Sequence, residues 1–142
     1  MKRAQWQAWG LLALLCGWSG NGAAEPEKIR LVHVDSYHRE YAGSWAAIEG
    51  LDAAMLELGY VDSKEQLEAL REHDYVESSR AVIKRLWMDS KRKDTKPELM
   101  KATVELTEQI KTFRPTLMLL SDDAATDYIG NQFLDAELPV VF

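Results

Sequence analysis

Two hydrophobic periods alternate along this chain, and the switches between them mark its elements. Ile29-Arg30-Leu31-Val32-His33-Val34 is a short run rich in β-branched residues that ends at Asp35-Ser36, which predicts a first strand buried in a sheet. A polar and aromatic loop, Ser36 to Tyr41, follows. From Ser44 the apolar positions Trp45, Ile48, Leu51, Met55 and Leu58 recur every three or four residues, so a helix is expected, with Ser44 as its cap and Gly59 as its stop. Ser63-Lys64-Glu65-Gln66 has capping-box form and predicts a short helix to about Glu72. Beyond it the signal fades until Val82 to Met88, where apolar and charged positions mix as on an edge strand with its charges partly in water. Pro97 and Glu98 then open the clearest helical pattern: Leu99, Thr103, Leu106, Ile110 and Phe113 share a face, Lys111 and Arg114 lie at its far end, and Pro115 closes it. Leu117-Met118-Leu119-Leu120 is a continuous apolar run, expected of a parallel strand covered on both faces. A further helix through Tyr128, Ile129 and Phe133 and a last strand from Pro139 to Phe142 complete the series.

Strand and helix thus alternate three times before a final strand. That order predicts an α/β fold, a parallel doubly wound sheet with helices on both faces and right-handed crossovers. The chain stops at Phe142 with no loop after the strand, so the expectation is the first part of a larger domain. No internal repeat or low-complexity tract interrupts the series.

The amino-terminal residues change the picture. Lys2 and Arg3 precede an apolar run from Gly10 to Gly17, and Gly22-Ala23-Ala24 supplies small residues for a peptidase, so residues 1–24 read as a signal peptide and residues 25–142 as the exported domain. The run is shorter than the ~20 residues a membrane-crossing helix needs, which disfavours a permanent anchor. Cys16, the only cysteine, falls inside this segment behind Leu14 and Leu15 rather than a small residue, which argues against lipidation. The exported part then has no thiol for a disulfide or a Cys metal site. Removing 24 of 142 residues leaves 118, one small domain, and takes two basic residues, so 15 bases face 23 acids for a net charge of −8. Such a surface repels nucleic acid and acidic lipid. Lys91-Arg92-Lys93 is a local exception and reads as a solvated loop.

In an open parallel sheet, ligands bind beyond the carboxyl ends of the strands. Asp35, Ser36, Tyr37 and His38 follow the first strand, Trp45 opens the next helix, and Ser121, Asp122 and Asp123 follow the third; hydroxyls, carboxylates and aromatic faces placed together hold a small polar molecule. Each has a plainer role open to it. Asp122 or Asp123 can cap a helix, Trp45 can pack on the sheet, and His33, inside the strand, reads as a satisfied core histidine, whereas His38, Tyr37 and Tyr41 lie in a polar loop suited to an exposed role. Catalytic templates fit poorly. His33, His38 and His73 lack the paired spacing of a zinc site, and no glycine-rich phosphate loop or nucleophile elbow follows a strand. Asp35, Asp122 and Asp123 imitate the acid pocket of a receiver domain only without its paired acid and later lysine. No enzyme activity, catalytic residue, metal or cofactor is expected.

Four stretches in this order give the chain a family resemblance: Val34-Asp35-Ser36-Tyr37-His38 with Trp45, Trp87-Met88-Asp89-Ser90-Lys91-Arg92, Leu119-Leu120-Ser121-Asp122-Asp123-Ala124, and Leu138-Pro139-Val140-Val141-Phe142. It resembles the substrate-binding proteins of ABC transporters with the type 1 periplasmic fold. The resemblance implies an incomplete amino-terminal lobe of a two-lobed clamp that captures a small polar solute in the periplasm for a transporter permease, with no membrane insertion after cleavage. It also implies ligand contacts from Ser36, Tyr37, Trp45, Asp122 and Asp123, and His38, open to a role in the same loop, joins them as a candidate. The hinge, the second lobe and the rest of the first lobe of such clamps have no counterpart in this sequence, so weak binding or none is expected of this chain alone. An extracytoplasmic sensor domain is the alternative, and an exported hydrolase using Asp122 or Asp123 a weaker one.

Overall fold

The computed structural model describes residues 27–142, so the signal peptide expected over residues 1–24 lies outside the described part. Its elements are β1 (Ile29–Asp35), α1 (Ala42–Glu57), α2 (Lys64–His73), β2 (Tyr75–Glu77), β3 (Ala81–Trp87), α3 (Lys96–Phe113), β4 (Leu117–Ser121) and, last, β5 (Val140–Val141). Between β4 and β5 a helical segment, residues 122–133, opens as one α turn, α4 (Asp122–Ala124), widens into a π-helical turn (Ala125–Ile129) and tightens into a 3-10 turn (Gly130–Phe133).

One five-stranded sheet runs in the order β2-β3-β1-β4-β5, parallel throughout except for β2, which pairs antiparallel with β3 at the edge. Side chains alternate across it. Val32, Val34, Val82, Leu86, Met118 and Leu120 meet Leu106, Ile110 and Phe113 of α3 and Ile129 on one face, while Leu31, Ala81 and Ile83 meet Met55 of α1 and Leu67 and Leu70 of α2 on the other. Each large apolar side chain so buried contributes roughly 1.5–3 kcal/mol. The chain steps from β1 to β3 on the α1/α2 face, then back past β1 to β4 on the α3 face. Opposite directions on opposite faces keep one hand for both crossovers, as the alternation predicts.

The helical readings hold in outline. Ser63 caps α2, accepting from the Gln66 N–H at 3.4 Å, and the Gln66 side chain reaches back to the Asp62 N–H at 2.8 Å. Thr95 and Glu98 form a capping box on α3, with Pro97 in its first turn. Gly59 stops α1 with φ at +70°, a conformation that favours glycine.

Three expectations fail. Val82 to Met88 is no edge strand: β3 lies between β1 and β2, and its charged Arg85 is buried at 2% exposure because Asp52 of α1 neutralises it. The true edge, β2, lay in the stretch where the pattern faded. Ser44 does not cap α1, which starts at Ala42; it is buried one turn in, and its hydroxyl donates to Asp35 at 3.0 Å. The inward stripe of α1 is accordingly Ser44, Ile48, Asp52 and Met55, leaving Leu58 60% exposed. Neither Asp122 nor Asp123 caps its helix.

Candidate functional site

The order of the sheet creates a crevice. From adjacent strands, β1 leads to α1 on one face and β4 leads to the helical segment on the other, so their carboxyl ends form the topological switch point where ligands sit in open α/β sheets. The loop after β3 joins them, because its backbone is pinned to the β1 loop: Asp89 N–H donates to Tyr37 C=O at 3.0 Å and Ser90 N–H to Ser36 C=O at 2.9 Å. Three strand ends therefore make one rim.

Ser36 is its clasp. The side chain is fully buried; the hydroxyl donates to Ser121 C=O at 2.7 Å and accepts from Ala125 N–H at 2.8 Å, while the Ser36 N–H donates to Ser121 C=O at 3.1 Å. The cap that the helical segment lacks from its own aspartates thus comes from the neighbouring loop. Both functions of the Ser36 hydroxyl are engaged inside the protein, so Ser36 positions the rim. Asp35, also buried, shapes the same loop by accepting from Tyr37 N–H at 2.8 Å and from the Ser44 hydroxyl. Burial raises its pKa, opposed by those two hydrogen bonds.

Tyr37, His38, Asp122 and Asp123 line the outward side. Tyr37 is half-buried, its ring 4.4 Å from that of Tyr41, and His38 lies edge-on to Tyr41 at 5.7 Å. His38 Nδ1 stands 3.4 Å from Asp89 Oδ1. Partial burial and the Asp122 carboxylate beside it raise the Tyr37 phenol above its ordinary pKa. Asp122 and Asp123 are exposed, and Asp122 and Asp89 adopt left-handed backbone, φ +69° and +62°, at the ends of β4 and β3. Trp45 is half-buried, one turn into α1. The rim also holds Tyr41, Asp89, Ser90 and Lys91, the last with its ammonium 4.9 Å from the Tyr37 ring centre and 5.7 Å from that of Tyr41. Asp89, Ser90 and Lys91 were not expected there, because a strand read as an edge does not flank the crevice.

Below the rim runs a buried polar seam. His33 Nε2 meets Ser121 Oγ at 2.7 Å, Nδ1 has no hydrogen-bond partner, and burial with Arg85 nearby lowers its pKa to about 3. The satisfied core histidine of the sequence reading is thus half satisfied and neutral. A broad concavity of about 770 Å³ opens at the other end of the sheet beside Arg30, Phe113 and Arg114. The Arg30 guanidinium there donates to Phe113 C=O and Arg114 C=O and stacks on the Phe113 ring, closing the end of α3 rather than facing outward.

Among the described residues no group of three or more His, Cys, Asp or Glu could hold a metal ion, and no helix is long and apolar enough to cross a membrane. No family model, curated protein sequence or solved structure matches this chain.

Proposed function

We propose that the chain is a solute-binding unit of the ABC-transporter type, acting outside the cytoplasm and holding a small polar molecule at the rim formed by the ends of β1, β3 and β4 for delivery to a permease. The observation that carries the reading is the adjacency of the Ser36 and Ser121 turns at the switch point, zipped by three hydrogen bonds with Tyr37, His38, Asp122 and Asp123 on the outward side. Two features favour a binding role for that place. Non-glycine residues in left-handed backbone stand at two of the strand ends, and a π-helical turn begins three residues after Asp122; both kinds of irregularity concentrate where proteins grip ligands. A sensor domain would use the same rim, and coupling to transport separates the two: uptake of labelled solute should depend on the protein.

A thermal-shift panel of amino acids, sugars and nucleosides at millimolar concentration tests the binding claim. At least one class should raise the melting temperature, and Tyr37→Ala or Asp122→Asn should abolish that rise. A panel without effect on the unmodified protein contradicts the reading, and solute turnover lost in Asp122→Asn replaces it with a hydrolase.

A further inference from the structure

Lys91 is the odd member of the rim. It belongs to an acidic protein with carboxylates close by, yet among the described residues no ion pair or hydrogen bond holds its ammonium. Its partners are two aromatic faces, Tyr37 at 4.9 Å and Tyr41 at 5.7 Å, both inside the ~6 Å reach of a cation over a ring. The placement follows from the backbone. The bonds from Asp89 and Ser90 to the β1 loop, and the turn closed by Arg92 N–H donating to Asp89 C=O at 3.0 Å, carry residue 91 over the tyrosines. Those rings stand 4.4 Å apart and tilted by 54°, presenting two faces to one point. Besides burial, the carboxylates of Asp122 and Asp123 act on the Tyr37 hydroxyl, so two acids lie within reach of this ring.

We infer that the rim selects a small organic ammonium, seated over Tyr37 and Tyr41 and countered by Asp122 and Asp123, and that Lys91 is a tethered rival cation which the solute displaces. The inference rests on the reading of the rim as a ligand site and names its ligand class. An anion meets Asp122 and Asp123 as like charges, whereas a neutral molecule gains the ring contact but not the charge. Lys91 is exposed and on a turn, so it swings aside into water without breaking an ion pair. A solute-binding site that contains its own competitor releases its cargo more readily, at the cost of apparent affinity.

Isothermal titration of the whole chain with choline and with its uncharged isostere 3,3-dimethylbutan-1-ol, each at millimolar concentration, tests this. Choline should bind about tenfold more tightly than the isostere, since two rings and two carboxylates distinguish them only by charge. Lys91→Gln should tighten choline binding by about 2–5-fold, the worth of one exposed ring contact released, while Lys93→Gln changes little. Tyr41→Leu should weaken it. Isostere binding as tight as choline overturns the cation class but leaves a solute site; Lys91→Gln without tightening overturns the rival role. If neither compound binds and the wider solute panel is also inert, the binding reading itself falls.

Discussion

Asp52 stands between two guanidiniums, buried Arg85 from β3 and half-exposed Arg71 from α2, with Arg71 Nε at 2.8 Å. Taking one partner from a buried pair leaves a charge without compensation, which costs about 3–5 kcal/mol. Asp52→Ala should lower stability by that amount in urea unfolding, while Asp52→Leu with Arg85→Met should recover most of the loss; a double variant as unstable as the single would contradict this account. His33 sets the acid limb. Its pKa falls from 6.5 to about 3 on folding, chiefly through burial, so between those values the unfolded chain binds a proton that the folded chain refuses. Stability is therefore full above 6.5 and declines toward 3, by at most about 1.4 kcal/mol per pH unit. Asp35 acts oppositely: its raised pKa lets the folded chain take up a proton first, which offsets part of the loss near and below its site's titration. Urea midpoints at about pH 7 and about pH 5 should converge in His33→Gln and diverge in the unmodified protein; equal slopes would count against a neutral buried His33. The Asp52 partnership was not legible in the sequence, because the strand carrying Arg85 looks half-solvated until the acid on a helix 33 positions away is brought onto it; His33 was read as a core residue, but not its missing partner.

At the scale of elements, strong periodicity was readable and buried charge was not. β1, β4 and α3 are where the pattern puts them because apolar residues dominate their strand-length runs or recur at helical spacing. α1 turned out rotated, since Asp52 faces in and Leu58 faces out, against any hydrophobic reading. Capping shows the same limit. The local cap Ser63 on α2 was read from its spacing, the Thr95 box with Glu98 on α3 was overlooked though it lies in the same kind of local spacing, and Ser36 caps a segment 89 residues away. Removing either kind of cap should cost about 1 kcal/mol, so Ser36→Ala and Thr95→Ala should have similar unfolding midpoints. Only Ser36→Ala should speed amide exchange at Ala125 and in the rim, because it alone joins the two turns; uniform behaviour of the two variants would remove Ser36 from its role as clasp.

For the whole molecule, the βα alternation foretold an α/β sheet with helices on both faces, and the crevice between β1 and β4 followed from that order. The turns after the first and third parallel strands were expected to meet and do lie side by side, whereas the β3 loop beside them was missed with the strand's position. What the sheet adds is a common rim for aromatic faces, two exposed carboxylates and one lysine, all at the end where the hydrogen bonds zip Ser36 to Ser121. The most direct measurement is a map of backbone amide shifts as small polar solutes are titrated into the isotopically labelled chain. Shifts concentrated at residues 36–41, 89–91 and 121–123 are the predicted result; shifts confined to Arg30, Lys111 and Arg114 at the opposite end, or none with any solute, would contradict the account.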